Sequence, residues 1–346
     1  MGNKILTVII PTYNMEKYLS KCLDSLLVDD ELLPSLEVLV INDGSKDRSS
    51  EIAHTYEQKY SGVFRVIDKE NGNYGSCINR GLKEATGKYV KILDADDEYI
   101  TKAFAHLMIL LKDLDVDMVI TDVFSHDENG NKLRCTRYPI ATRKILSFQD
   151  AYCKELMVGM CMHVITYRRD LLLTMNYRQT EGISYTDSEW AYIPMLKVKS
   201  LYYLDEEVYS YLRGRPGQTM DPAIALKNRV HSVIGIRAMV KSILDAQYDS
   251  YEKEQFMYEK LLERIHLTYG SYLFTRDKSV DRKPLIDLDL FIRKNHPVLS
   301  EKMESLSYGS SMKGYIKKWR SNNYKTNFKL YNNVVWLYRC FRKSFQ

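Results

Sequence analysis

Short apolar runs alternate with one-faced helical stripes through the first 125 residues, and each of the runs that matter stops at a polar cluster. Thr7-Val8-Ile9-Ile10 is a β-type run that ends at Pro11. Leu19, Cys22, Leu23, Leu26 and Leu27 then recur at the spacing of one helix face. Glu37-Val38-Leu39-Val40-Ile41 is a second buried run, closed by Asn42-Asp43-Gly44-Ser45, with Asp47 placed to cap the following helix. The pattern continues with a strand near residues 64–67, a helix from about 74 to 84, and a strand over 89–93. A helix stripe of Phe104, Leu107, Met108 and Leu111 and a strand over 118–123 follow. Strands alternating with helices of this length predict an α/β fold, a mostly parallel Rossmann-like sheet with helices on both faces. Ligands of such sheets bind beyond the C-terminal strand ends. Those ends carry residues 11–14, 42–45 and 94–97, so three polar clusters are expected on one rim.

The rest of the chain reads differently. Residues 124–146 look like a polar excursion, and a mixed region runs to about 215. From 222 to about 297 the signal is helical, as in Val230, Val233, Ile234 and Val240. A boundary near 216–222 gives three regions: residues 1–215, a helical part over 216–304, and a tail over 305–346. The length of 346 residues agrees with about two domains.

With 45% hydrophobic and 27% charged positions the chain is too polar for a membrane channel and too apolar for a disordered tail. Its six cysteines are scattered without a C-x-x-C pair, which fits a reduced setting. The N-terminal apolar run is short, ends at Pro11 and lacks a cleavage site, so no signal peptide is expected. Leu6 stands where a myristoylation signal needs Ser or Thr. No stretch is long and apolar enough to span a bilayer, and a cytoplasmic protein is expected. Charge is uneven: after Glu304 come nine bases and no acid. Taking those nine from the whole-chain +5 leaves −4 on the first 304 residues.

Chemistry concentrates at the strand ends. Leu93-Asp94-Ala95-Asp96-Asp97 puts three carboxylates within four positions. Such groups repel one another unless a cation sits among them, and hard divalent ions shared with substrate phosphates suit oxygen ligands. The alternative is a solvated turn with helix-capping aspartates. Asp43, beside a glycine, can accept from an N–H of a nucleobase edge, or serve an ordinary turn. Tyr13 can stack on a flat ring.

The order Pro11-Thr12-Tyr13-Asn14, Asn42-Asp43-Gly44-Ser45, Gly75 through Gly81 and Leu93-Asp94-Ala95-Asp96-Asp97 resembles the family 2 glycosyltransferases of GT-A fold, over about the first 215 residues. The resemblance implies that Pro11, Tyr13 and Asp43 take the uracil of a UDP-sugar, with Asn79 also at the donor. It implies that Asp94, Asp96 and Asp97 hold a divalent cation (Mn²⁺ or Mg²⁺), the ribose and the donor sugar, with Asp96 as the direct metal ligand. Where the family shows Ala-Arg-Asn-x-Gly, this chain reads Cys77-Ile78-Asn79-Arg80-Gly81, so Ile78 replaces the family's Arg and Arg80 points to a different helix face.

About ninety residues past the acid cluster the family carries a Glu-Asp pair that supplies the general base. Here Thr186 replaces the Glu and Asp187 falls on the Asp. Asp187 is the expected base, the alternatives being a helix cap there and Glu189 as a rival. Arg213-Gly214-Arg215-Pro216-Gly217-Gln218-Thr219 is a cationic, glycine-rich loop that can close over a diphosphate through Arg215 and Gln218, or simply connect domains. His163 reads as a structural histidine or a contact to diphosphate or acceptor. One base and a single displacement imply inversion at the anomeric carbon.

In the tail, Met312, Tyr315, Ile316 and Trp319 share one helical face, and Tyr331, Val334, Val335, Tyr338, Phe341 and Phe345 another, with bases around them. This suits an interfacial helix on an anionic membrane at the inner face of the cell, near a lipid-linked acceptor. The alternatives are packing on the body or an oligomer contact. No nucleic-acid motif is present. The expected activity is metal-dependent sugar transfer from a UDP-sugar to a glycan or lipid-linked acceptor in cell-surface polysaccharide synthesis. A nucleotidyltransferase and a non-catalytic sugar- or lipid-binding protein are the rival readings.

Overall fold

A computed structural model describes residues 4–215, 218, 222–275, 277, 279–308 and 312–325. These divide into two compact units. The first ends before Pro222 and takes in Tyr248–Phe256; the second holds Pro222–Gln247 and the described residues from Met257 onward.

In the first unit β1 (Leu6–Thr12) is the spine, because Val8, Ile9 and Ile10 are closed to solvent on both faces. It pairs in parallel with β2 (Leu36–Asn42) on one side and β4 (Tyr89–Ile92) on the other. β3 (Phe64–Asp68) extends the parallel run beside β2. The helices α1 (Leu19–Asp24), α2 (Ser49–Lys59) and α3 (Asn73–Glu84) make the crossovers, and α4 (Thr101–Asp113) buries Phe104, Leu107, Met108 and Leu111, the face read from sequence.

Beyond β4 the sheet becomes mixed. With β5 (Glu98–Tyr99), β6 (Met118–His126), β7 (Lys132–Thr136), β8 (Ile145–Ser147), β9 (Ile165–Arg168) and β10 (Ser200–Leu212), its order is β3-β2-β1-β4-β9-β6-β10-β5. β9 lies antiparallel between β4 and β6, while β6 and β10 run parallel. β7 and β8 pair antiparallel on β6 and β10. The polar excursion after residue 123 contains sheet: β6 runs on to His126, turns back as the exposed β7, and β8 follows. The antiparallel partner supplies the hydrogen bonds that polar side chains on this edge do not advertise. The short helices α5 (Phe148–Ala151), α6 (Lys154–Gly159), α7 (Arg169–Thr174) and α8 (Asp187–Trp190) fill the connections.

The second unit is helical, as its periodicity predicts: α9 (Pro222–Lys227), α10 (Arg229–Ser242), α11 (Tyr251–Leu273, counted here from Met257), α12 (Lys283–Asn295), α13 (Pro297–Glu304) and α14 (Tyr315–Ser321). Here the structure corrects the docking face proposed for the start of the tail. Tyr315, Ile316 and Trp319 are fully buried within this unit. Arg320 is clamped beside them by Asp289 at 2.8 Å and the Ser300 carbonyl at 3.0 Å. An apolar face already spent on a protein core has none left for lipid. The second tail stripe, Tyr331 to Phe345, lies outside the described residues. Among the described residues no helix is long and apolar enough to cross a membrane.

Candidate active site

The ends of β1 and β2 are laced together by short polar bonds. The Asp43 amide donates to Thr12 O at 2.8 Å, and Asn14 Oδ1 accepts from the Lys46 amide at 2.7 Å. Gly44 turns the chain with φ +72°, a conformation that suits a residue without a Cβ. The Asp43 carboxylate is buried, and its Oδ1 accepts from Lys69 Nζ and from the Gly72 amide at 2.9 Å. Tyr13 stands beside it, 45% exposed.

The acid cluster leaves β4 in three different settings. Asp94 Oδ1 accepts from the Tyr74 hydroxyl at 2.8 Å, and its Oδ2 lies 3.8 Å from His163 Nε2. Asp96 is engaged by Arg215 Nε. Asp97 is buried and accepts from Tyr209 OH and from the Leu212 amide, both at 2.8 Å. Burial, and then the Asp96 and Asp94 charges, hold the Asp97 carboxyl well above the usual carboxylate range. Burial and Asp94 also raise Asp96, against the opposing pull of Arg215. His163 stacks on Tyr211 with ring centroids 4.7 Å apart, and its Nδ1 lies 3.4 Å from Cys161 Sγ. Although burial lowers its pKa, the neighbouring Cys161 and Asp94 leave it raised well above the usual histidine value.

The segment bearing Asp187 is brought in by α3. A Cβ at Gly75 would lie 2.1 Å from the Thr180 carbonyl oxygen, so only glycine lets this segment approach. Asn79 fastens the same segment: its Oδ1 accepts from the Gln179 amide at 2.8 Å, and its Nδ2 donates to Gln179 O and Glu181 Oε1. Asn79 is thus consumed as a clasp and does not line the cavity, unlike its expected place at the donor. Tyr185 takes φ +70°, an uncommon strain for a bulky side chain, immediately before Thr186 and Asp187. Asp187 lines the cavity; burial, then the Asp94 it bonds, and to a lesser degree the Asp187 charge raise the Tyr74 hydroxyl well above the usual tyrosine value. Thr186 also lines it, with its Oγ1 buried and without a partner among the described residues. Glu189 turns inward: it is fully buried, its Oε2 accepts from the Thr180 amide at 2.9 Å, and it is no rival at the cavity wall. Ile78 is fully buried, and Arg80 is spent outside on Glu84 at 3.1 Å.

In the loop after β10, Gln218 closes a turn on itself, its Oε1 accepting from the Gly214 amide at 2.9 Å and its Nε2 donating to Leu212 O at 2.6 Å. Pro216, Gly217 and Thr219 fall outside the described residues. Pro11, Tyr13, Asp43, Asp94, Asp96, Asp187, Arg215 and Gln218 line one cavity of about 770 Å³, whereas Asn79 and the buried Asp97 do not.

The residues fit a hard divalent cation. Asp94, Asp97 and His163 each offer a ligand atom within 4.8 Å of the others, and Asp96 stands beside them on the wall. The raised Asp96 and Asp97 carboxyls, pushed up by burial and by the neighbouring carboxylates, are what such a cation would relieve. The set differs from the expected one by giving Asp96 to Arg215 and admitting His163. Neither could be read from sequence, since His163 lies far along the chain and reaches Asp94 only through the β4–β9 pairing. Lys69 and Tyr74, which orient Asp43 and Asp94, carry no motif of their own.

The profile described as glycosyl transferase family 2 matches residues 7–174. The chain is 30% identical over 217 residues to the glycosyltransferase MG025 of Mycoplasma genitalium, covering 62% of this chain and 70% of that one. Its fold is similar to residues 1–349 of Staphylococcus aureus TarS, solved with UDP-GlcNAc (TM-score 0.68, 21% identity, covering 87% of this chain and 84% of that one). It is also similar to the mannosyltransferase PcManGT of Pyrobaculum calidifontis, solved with GDP-Man and Mn²⁺ (TM-score 0.51, 17% identity, covering 88% and 84%). The architecture is the GT-A fold.

Proposed function

The chain belongs to glycosyltransferase family 2, and from that premise we propose that it moves a sugar from a UDP-sugar to a glycan or lipid-linked saccharide acceptor, inverting the anomeric carbon. The observation that carries this reading is the convergence of Tyr13, Asp43, Asp94, Asp96 and Asp187 on one cavity. The exposed face of Tyr13 suits a pyrimidine ring, and Asp43 beside it suits the imide N–H that uracil presents. The likeness to TarS supports UDP as the nucleotide. Arg215 offers charge-assisted hydrogen bonds to the diphosphate, and Gln218 shapes the loop that carries it.

Asp94, Asp97 and His163, with Asp96 beside them on the wall, would hold Mn²⁺ or Mg²⁺, which when bound would neutralise charge on the leaving diphosphate. The acceptor hydroxyl must lose its proton as it attacks the anomeric carbon. Asp187 takes that proton: Thr186 is no base, and Glu189 faces the interior. In this reading residues 1–215 are the catalytic domain, 216–304 a helical region and 305–346 a basic tail, and the product belongs to a cell-surface polysaccharide.

The test is UDP release from a panel of UDP-sugars with Mn²⁺. Asp187→Asn should lower turnover by roughly 10²–10⁴-fold while UDP binding, followed by calorimetry, holds. Normal turnover in that variant would remove the base assignment. Pyrophosphate release in place of UDP would mark a nucleotidyltransferase.

A further inference from the structure

Past Asp94 the cavity runs on to a wall built by the ends of β6, β7 and β10. Register aligns Arg134 with Ser125 across β7 and β6, and Ser125 with Tyr211 across β6 and β10. These three side chains form one row on one face of the sheet, and all three line the cavity. Arg213, two residues beyond Tyr211 and on the same wall, places its guanidinium 5.6 Å from the Tyr211 ring centre. Ser125 is 6% exposed, and its hydroxyl has no hydrogen-bond partner among the described residues.

The charge of this wall is unbalanced. Arg215 is held by Asp96, and Arg168 and Arg143 are likewise paired with acids. Among the described residues no carboxylate comes within 4.0 Å of Arg134 or Arg213. In the sheet order β6 lies beyond β4 and β9 from β1 and β2, so this wall is on the far side of the acid cluster from Tyr13 and Asp43 and meets the cluster's edge where Tyr211 stacks on His163. Two exposed guanidinium groups without an acidic partner, beside a buried orphan hydroxyl, make a cradle for an anion: the hydroxyl's missing bond is the costly one, and each guanidinium bond to an ionised oxygen is strong. The nucleotide end of the cavity is at Tyr13 and Asp43, beyond β1 and β2, so this cradle belongs to whatever approaches from the side of β6 and β7.

We propose that the acceptor carries an anionic group, a phosphate ester or a carboxylate, and that Arg134, Ser125 and Arg213 bind it. This rests on the glycosyltransferase reading above and adds to it the chemical class of the acceptor. The anion at this wall would set the register of the acceptor chain so that a hydroxyl farther along it meets Asp187.

The experiment uses the full chain saturated with UDP and Mn²⁺ and titrates it by calorimetry with glucose 6-phosphate, glucuronate and glucose. At least one anionic probe should bind roughly tenfold or more tightly than glucose. Arg134→Gln and Arg213→Gln should each remove that advantage while UDP affinity stays within about twofold, and Arg213→Lys should recover part of it. Preference between the two anions assigns the group to a phosphate ester or to a uronic acid. Unchanged near-ultraviolet circular dichroism in each variant separates lost binding from lost folding. Equal binding of all three sugars, an absence of anion binding at millimolar concentration, or an advantage that survives both substitutions would overturn the proposal. Loss of UDP affinity in the variants would reassign the arginines to the donor. Failure of the unsubstituted protein to bind UDP would instead strike the underlying reading.

Discussion

Asp43 Oδ1 is gripped from two sides, by the Lys69 ammonium and the Gly72 amide, and this fixes the plane of the carboxylate against the Tyr13 side of the cavity. Lys69 also donates to Ser76 Oγ at 2.9 Å, which ties the grip to α3. A positioning residue of this kind leaves a measurable mark. Lys69→Met should weaken UDP binding about tenfold, within the range for a lost charged hydrogen bond, with kcat at saturating donor little changed and Lys69→Arg recovering part. Calorimetry with UDP checks it; intact UDP affinity alongside lowered stability would make Lys69 structural only. Residues at strand ends were the legible ones. Tyr13, Asp43, Asp94 and Asp96 follow apolar runs that must be strands, and a parallel sheet has one functional rim. Asn79 and Glu189 show the limit: the family resemblance named the first and position near Asp187 the second, but Asn79 and the Oε2 of Glu189 are spent on the 179–181 segment, a bond made 100 residues away for Asn79.

At the scale of elements, periodicity located β1 to β4 and the helices between them because each buries one face or two within about ten residues. It failed where burial is created by a distant partner. β7 has an exposed, charged sequence and exists because β6 offers it an edge. α14 failed in the opposite sense: an aromatic face with flanking bases fits lipid and protein equally well, and what decides is Asp289, a buried acid on α12 waiting for Arg320. That pair gives the next prediction. Arg320 and Asp289 are 6% and 0% exposed, so removing one partner strands the other charge. Arg320→Met should destabilise the helical unit by about 3–5 kcal/mol. Arg320→Met with Asp289→Leu together should cost much less, because no charge remains buried. Urea unfolding followed by tryptophan fluorescence reads this through the buried Trp319; a single substitution costing under about 1 kcal/mol, the size of an exposed pair, would show the pair to be solvated.

For the molecule as a whole, the active cavity exists only when strands from Leu6 to Leu212 are assembled, so a ligand that binds it stabilises the entire first unit. UDP with Mn²⁺ at about 100 times Kd should add about 2.7 kcal/mol, a rise in melting temperature of about 5–10 °C for a unit of this size. The acid cluster sets how that rise depends on pH. Burial and the neighbouring Asp96 and Asp94 raise the Asp97 carboxyl, so the folded protein keeps a proton that an unfolded chain has released. Without a cation, stability therefore falls as pH climbs from the unfolded carboxylate value through the folded one. A cation binds the deprotonated cluster and must displace that proton, so its stabilising effect grows in the same direction. Melting curves with UDP and Mn²⁺ should show a larger gain at pH 8 than at pH 5.5, and calorimetry in buffers of different ionisation enthalpy should show proton release. Excess EDTA should remove the pH-dependent part and leave the smaller gain from UDP alone. A gain untouched by EDTA, or one that shrinks as pH rises, would mean that the three aspartates do not hold a metal and that UDP binds through Tyr13, Asp43 and Arg215 without it.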